Sequence, residues 1–290
     1  MTILAESGAT KTDWRSIASD GTVYSMRSTG MNVATADVAF VEKTLREAIP
    51  KLNPSGETVE RIHFYAAGMI PTPGNPVPEG AVRLHGEFMK AFPEAKVAYA
   101  SDLLAAARAL FGRKSGIAVI LGTGSNSCEY DGKQIVKNVR SGGFILGDEG
   151  GGASLGRQFV SDFLKGIVPE PVASEFAAQY DMEYFNVVKN VYRGPSPASY
   201  LGSFAPFIME HYDSCLYVKC LVDNNFRALF ERCLLQYDIE GKPVGVVGGF
   251  GFAHKEILLR VAQEYGVGIS DIVSSPIEGL VKYYIEENEN

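Results

Sequence analysis

One pattern occurs twice in this chain and narrows the folds open to it. An apolar strand runs into a small-residue turn and comes back as a hairpin. The first copy is "TILAESGATKTDWRSIAS", with its turn at Gly8-Ala9-Thr10, and the second is "GIAVILGTGSNSCEY", with its turn at Gly122-Thr123-Gly124. The likeness is one of pattern rather than of residue identity, as in an internal duplication. In the first copy Asp20-Gly21 turns the chain again into "TVYSMRS", and in the second Asp131-Gly132 does the same within "SCEYDGKQIVKNV". Antiparallel strands therefore open each half.

Helices and further strands follow. "TADVAFVEKTLREAIPKL" sets Val38, Val41, Leu45 and Ile49 on one helical face, with Pro50 near its end. "RIHFYAAG" and "KVAYAS" read as strands, and "VRLHGEFMKAFP" as a short helix. A helix is predicted over "DLLAAARALFG", from Asp102 to Gly112, while "PTPGNPVPEG" is loop. Residues 172 to about 240 read as mostly helical, in the segments "PVASEFAAQY", "SYLGSFAPFIMEHY" and "SCLYVKCLVDNNFRALFERCLLQY". "GKPVGVVGGFGFAHKEILLRVAQEYG" is a strand, a glycine turn and a helix. "PIEGLVKYYIEENE" is a last helix, with Pro276 in its first turn. Strands alternating with helices indicate an α/β protein.

At 290 residues, 46% of them hydrophobic, the chain has material for roughly two domains of about 150 residues. A net charge of -7 and a pI near 5.3 argue against a nucleic-acid partner, which rewards a basic face. No stretch approaches the roughly 18 apolar residues of a membrane span. "MTILAESG" has neither the basic nor the long apolar region of a signal peptide. The cysteines, Cys128, Cys215, Cys220 and Cys233, include no C-x-x-C pair, which speaks for reduced thiols in a cytoplasmic protein rather than a zinc or iron–sulfur site.

Candidate chemistry collects at four glycine-bearing turns: Gly8-Ala9-Thr10, Gly122-Thr123-Gly124-Ser125, Gly142-Gly143 and Gly248-Gly249. Successive N–H groups in such turns form anion nests, and threonine adds a hydroxyl donor. A single G-x-T turn says little, but four turns, two of them in matching units, point to a ligand. Gly8 to Thr12 resembles a P-loop without the glycine before Lys11, and Glu6 stands where its first glycine would fall. A P-loop joins a strand to a helix, whereas this turn joins two strands. Asp102 ends an apolar strand and starts a helix, so it reads as an N-cap, as a base able to reach a substrate hydroxyl, or as both. Asp148 and Glu149, among glycines in "LGDEGGG", suit sugar hydroxyls or magnesium, or else a solvated turn. Asn32 taken alone is a turn or helix-cap residue. No histidine is assigned a catalytic role.

Together these residues resemble the ATP-dependent kinases of the sugar kinase/heat-shock/actin superfamily. More narrowly they are similar to the N-acetylglucosamine kinase group among the BadF-type ATPases. Glu6-Ser7-Gly8-Ala9-Thr10 resembles the first phosphate loop D-x-G-x-T, with the Glu of the kinase group. Gly122 to Asn126 matches G-T-G-S-N, Gly147 to Gly150 matches G-D-E-G, and "VVGGFG" is similar to the adenosine loop. The matches run from residue 6 to residue 251 in the family's order. Ala9 replaces a glycine common in the first loop, and Gly142-Gly143-Phe144 differs from the aromatic-containing turn of the animal kinases.

The resemblance implies a two-domain actin-like ATPase (ribonuclease H-like) fold with an interdomain active-site cleft. One domain would span 1–102, with the C-terminal helix of about 276–290 packing back on it. The other would span 103–275, with a helical insertion at about 172–240 that shapes the sugar pocket or a homodimer contact. The implied activity is ATP- and Mg²⁺-dependent phosphorylation of an amino sugar, with N-acetylglucosamine going to its 6-phosphate. Asp102 takes the place of the general base. Asn32, Asp102, Ser125, Asn126, Gly143 and Asp148 fall where the family contacts the sugar. Gly8, Thr10, Lys11, Gly122, Thr123, Gly124, Gly248 and Gly249 fall at ATP, with Glu6 toward Mg²⁺ through water. Two other readings are an activator ATPase of a radical dehydratase or reductase and a non-catalytic sugar or nucleotide sensor. The first needs cluster-binding cysteines and the second a DNA-binding module.

Overall fold

The computed structural model describes residues 1–8, 11–31, 38–69 and 74–288. Thr10 and Asn32, both expected at the site, lie outside the described residues. The chain divides into two compact units. The first holds Met1–Lys114, Asp131–Gln134 and Ser275–Asn290, and the second holds Ser115–Tyr130 and Ile135–Ser274.

In the first unit β1 (Thr2–Ser7), β2 (Lys11–Ile17) and β3 (Val23–Thr29) are followed by helix α1 (Val38–Leu52) and β4 (Arg61–Ala66). Helix α2 (Val82–Ala91), β5 (Lys96–Ala100) and helix α3 (Asp102–Phe111) complete the run. The sheet order is β3-β2-β1-β4-β5. β1, β2 and β3 pair antiparallel, and β1, β4 and β5 pair parallel.

Central strands read as unbroken apolar runs because both faces of the sheet are covered. Ile3, Ala5, Ile62 and Phe64 pack on one face with Trp14, Val41, Leu45, Leu84 and Phe88. Leu4 and Tyr65, one residue out of phase, pack on the other face with Ala105 of α3 and Leu280 and Tyr284 of the C-terminal helix (Ile277–Asn288). Trp14, 1% exposed, lies edge-on to Phe64 and Phe88 with ring centroids 6.2 and 6.4 Å away.

The second unit repeats this connectivity. Its strands are β6 (Gly116–Leu121), β7 (Ser125–Tyr130), β8 (Ile135–Lys137), β9 (Val244–Val247) and β10 (Ile269–Val273), in the order β10-β9-β6-β7-β8. β6, β7 and β8 pair antiparallel, and β6, β9 and β10 pair parallel. β6 thus corresponds to β1, and the duplicated strand-turn-hairpin of the sequence is a duplicated half-sheet.

Between β8 and β9 lie α4 (Gly143–Leu146), α5 (Gly152–Leu164), α6 (Val172–Gln179), α7 (Tyr184–Arg193), α8 (Pro197–Gly202), α9 (Ala205–Glu210) and α10 (Leu216–Arg232). "SYLGSFAPFIMEHY", read as one segment, is two helices. Pro206 falls in the first turn of α9, where its missing N–H costs nothing; in the interior of a continuous helix it would break the ladder. The helix after the Gly248 turn is also divided, into α11 (Gly249–Ala253) and α12 (Lys255–Glu264), at non-helical His254. Helix α7 and strand β10 are additions to the sequence reading. No described helix is long and apolar enough to cross a membrane.

Candidate active site

In the first unit the site starts at the β1–β2 turn. Ser7 pairs with Thr12 across the hairpin, and the Gly8 N–H donates to the Lys11 carbonyl at 2.9 Å. The Ser7 hydroxyl lies 2.8 Å from the Thr12 hydroxyl and exchanges two 3.0 Å hydrogen bonds with the Met31 backbone, tying the turn to the end of the β3 connection. The turn is a strand-to-strand device, as its residues suggest.

Three carboxylates gather in this unit. Glu6 on β1 stands directly opposite Asp13 on β2, an arrangement that costs energy when both are charged. Asp13 is 2% exposed and takes a 2.9 Å ion pair from Lys11 Nζ and a 2.7 Å ion pair from Arg27 Nε. Burial acts to raise the Asp13 carboxyl, but Arg27 and Lys11 outweigh it and hold it below the ordinary carboxylate range. Glu6 has no such support. Burial first, and then the charges of Asp102 and Asp13, push its carboxyl up to about 7 against the opposing pull of Lys11.

Asp102 sits at the carboxyl end of β5, in the first turn of α3. The N-cap reading of Asp102 is corrected here: the cap is Ser101, whose Oγ accepts from the Leu104 N–H at 3.2 Å. Asp102 Oδ1 accepts from the Leu103 N–H at 2.8 Å. Burial raises the Asp102 carboxyl, only partly offset by that bond. With Ser101 supplying the cap, and with no ion pair to Asp102 among the described residues, a carboxyl raised by burial suits a proton acceptor.

In the second unit the Gly122 N–H donates to the Gly124 carbonyl at 2.9 Å, closing the β6–β7 turn. The turn rests on the start of α5, where the Gly152 N–H donates to the Gly122 carbonyl at 3.0 Å and the Ala153 N–H to the Thr123 carbonyl at 2.8 Å. Its carbonyls are therefore consumed by the helix. Among the described residues the adjacent N–H groups of Thr123 and Gly124 donate to no backbone carbonyl, and such a donor pair is what an anion nest offers.

Asp148 joins this turn. Its Oδ1 accepts from the Ser125 N–H at 3.3 Å, and its backbone adopts a left-handed φ of 57°. Burial raises its carboxyl; the Ser125 bond opposes this and the charge of Glu149 adds to it. Glu149 leaves the group, with Oε1 3.3 Å from Arg232 Nη1 and Oε2 3.9 Å from Cys233 Sγ. Of the two acids, only Asp148 meets the G-T-G-S-N turn. Asn126 Oδ1 accepts from the Ser127 N–H and Asn138 Nδ2, at 2.9 and 3.0 Å. Gly142 and Gly143, both at positive φ, open α4 some distance after β8, so this turn does not directly follow a strand.

The Gly248 turn meets the same strand end. A side chain at Gly248, whose φ is 138°, would overlap the Leu121 carbonyl, while one at Gly249 would meet nothing within 4 Å. The structure thus brings Gly122–Ser125, Asp148 and Gly248 together around the end of β6, and Glu6, Lys11 and Asp102 together in the first unit. Sequence reasoning missed Asp13. Its one signal was an acid between Thr12 and Trp14 on a strand whose neighbours are buried.

No family model matches the chain, and no curated protein matches it. Among solved structures, a candidate N-acetylglucosamine kinase from Porphyromonas gingivalis is 36% identical with a TM-score of 0.88, covering 99% of this chain and 100% of that one. A candidate N-acetylglucosamine kinase from Chromobacterium violaceum is 17% identical with a TM-score of 0.69, over 97% of this chain and 98% of its own. A ROK family glucokinase from Streptomyces griseus, solved with glucose and AMPPNP, is 15% identical with a TM-score of 0.56, over 100% of this chain and 99% of its own. The two weaker likenesses concern fold, and the first, spanning both chains, concerns family: this chain belongs with the P. gingivalis protein in the sugar kinase family of the actin-like ATPase fold.

Proposed function

We propose that the protein is an ATP-dependent kinase, of the N-acetylglucosamine kinase group among the BadF-type ATPases, that converts N-acetylglucosamine to its 6-phosphate in the cytoplasm. The observation that carries this reading is the 36% identity, along the whole chain, to the P. gingivalis candidate N-acetylglucosamine kinase.

In phosphoryl transfer the protein mainly positions groups and neutralises charge. Asp102 accepts the proton of the primary hydroxyl, a role supported by its place at a strand end and by a carboxyl raised through burial. Asn32, Ser125, Asn126, Gly143 and Asp148 hold the sugar. Gly8, Thr10 and Lys11, with the adjacent N–H groups of Thr123 and Gly124 beyond Gly122, hold the phosphates. Gly248 and Gly249 flank the adenosine.

Among the described residues no group of three or more His, Cys, Asp or Glu side chains forms a metal cage. Mg²⁺ keeps several waters and takes one or two carboxylates beside substrate phosphates, a demand that the carboxylates gathered around Glu6 can meet. Glu6 would hold it through water, its raised proton affinity yielding to the cation. When bound, Mg²⁺ neutralises charge on the transferred phosphate.

The test is ADP release over a panel of N-acetylglucosamine, glucosamine, N-acetylmannosamine and glucose, with and without Asp102→Ala. N-acetylglucosamine is expected to give the highest kcat/KM, and the variant is expected to bind ATP without turnover. No turnover of any amino sugar by the wild type rejects the reading. Near-normal turnover by the variant rejects the base.

A further inference from the structure

Asp13 is the least exposed charged side chain among the described residues, and the roles proposed above leave it unused. Its two carboxylate oxygens are divided. Oδ1 takes Arg27 Nε from β3 at 2.7 Å, and Oδ2 takes Lys11 Nζ at 2.9 Å, with the Ser275 hydroxyl 3.4 Å from the same oxygen. Lys11 is the first residue of β2, at the start of the strand that pairs with β1, and its side chain is 42% exposed. A lysine in that position has a flexible four-carbon stem that samples many rotamers unless it is held.

A buried carboxylate is a poor way to stabilise a hairpin, since an apolar residue of similar volume often does as well. The pairing does accomplish something an apolar residue would not. Arg27 fixes the carboxylate, and the carboxylate holds the Lys11 ammonium close to the turn. An ammonium has three donors, so a partly exposed Lys11 can keep Asp13 and still reach a phosphate oxygen.

We propose that Asp13 is a positioning residue that holds Lys11 ready for the phosphates of ATP. The proposal rests on the kinase reading, in which Lys11 contacts ATP. It also predicts a coupling that a purely structural carboxylate would not show.

The experiment is a double-mutant cycle read as the Kd of MgATP by calorimetry, with melting temperatures alongside. Lys11→Met should weaken binding about tenfold or more, as for a lost charge-assisted contact. Asp13→Asn should weaken it by about tenfold, and Asp13→Glu should recover part of the loss. The double variant should bind no more weakly than Lys11→Met alone. Fully additive losses, or wild-type affinity in Asp13→Asn, overturn the proposal.

If Asp13→Asn does not fold, Arg27→Met reads the same chain, because Arg27 is largely exposed and, like Lys11, pairs with Asp13. It should weaken MgATP binding about threefold, an effect absent in the Lys11→Met background; additivity there overturns the proposal as well. A wild type that binds no MgATP overturns the kinase reading and this proposal together. A wild type that binds and turns over, with an additive cycle, overturns this proposal alone.

Discussion

Gly124→Ala should uncouple the second turn from the carboxylate beside it. A Cβ built on Gly124 lies 2.7 Å from Asp148 Oδ2 and 2.9 Å from its Cγ, so the carboxylate must move. Moving it breaks the 3.3 Å bond from the Ser125 N–H. A hydrogen bond to a charged group is worth about 1.5–3 kcal/mol. Replacing glycine at a φ that alanine tolerates returns about 0.4–1 kcal/mol through the unfolded chain. The net cost is about 1–2 kcal/mol. For a domain of this size that lowers Tm by about 2–8 °C.

Gly122→Ala is the contrast, since a Cβ there meets nothing within 4 Å and keeps an ordinary φ. It should leave Tm within about 2 °C while raising KM for ATP, because the new methyl occupies the approach to the nest. Gly124→Ala should instead raise KM for the sugar, through the displaced Asp148. Differential scanning fluorimetry and a coupled ADP assay read all three quantities. Equal effects of the two variants on Tm and on both KM values would refute the division of labour within this turn.

Three further outcomes follow from other parts of the molecule. Asp102→Asn should lower kcat by about 10²–10⁴-fold with little change in ATP affinity. The acid limb of the wild-type pH–rate profile should lie above the usual carboxylate range, because burial raises this group. In the absence of Mg²⁺, stability should fall between about pH 4.5 and 7: Glu6 carries its proton more tightly folded than unfolded, so its contribution is complete below 4.5 and lost as pH rises through 7. Across that window the loss is at most about 3 kcal/mol. Glu6→Gln, which has no proton to lose, should flatten the curve in melts at pH 5 and pH 9, and an equally steep curve would contradict the assignment. Gly248→Ala combines a φ of 138° with overlap on the Leu121 carbonyl and should cost more than about 3 kcal/mol; soluble protein with an unchanged melt would contradict that.

Much of the fold was legible because its signals are local. Apolar runs bounded by turn residues marked β1 and β4, a period of 3.6 marked α1, and Asp20-Gly21 marked a hairpin turn that the backbone closes between Ala18 and Thr22. β10 was not legible: its five residues include Ser270 and Asp271, and its pairing with β9 is made across the unit from residues 244–247. The division of α8 from α9 turned on one proline whose effect depends on where a helix starts. The capping of α3 went to Ser101 rather than Asp102 because two good cap residues are adjacent and only backbone geometry chooses between them.

Sequence by itself determined the duplicated strand-turn-hairpin, the glycines that let the turns close, and a carboxylate at the end of β5. These depend on residue type and spacing along the chain. Tertiary structure alone decided which charges meet. It set Glu6 opposite Asp13 and fastened Asp13 to Lys11 and Arg27. It also drew Asp148 onto the Gly124 turn and turned Glu149 away to Arg232. Protonation and pairing follow burial and register between strands, and neither quantity exists until distant segments are packed together.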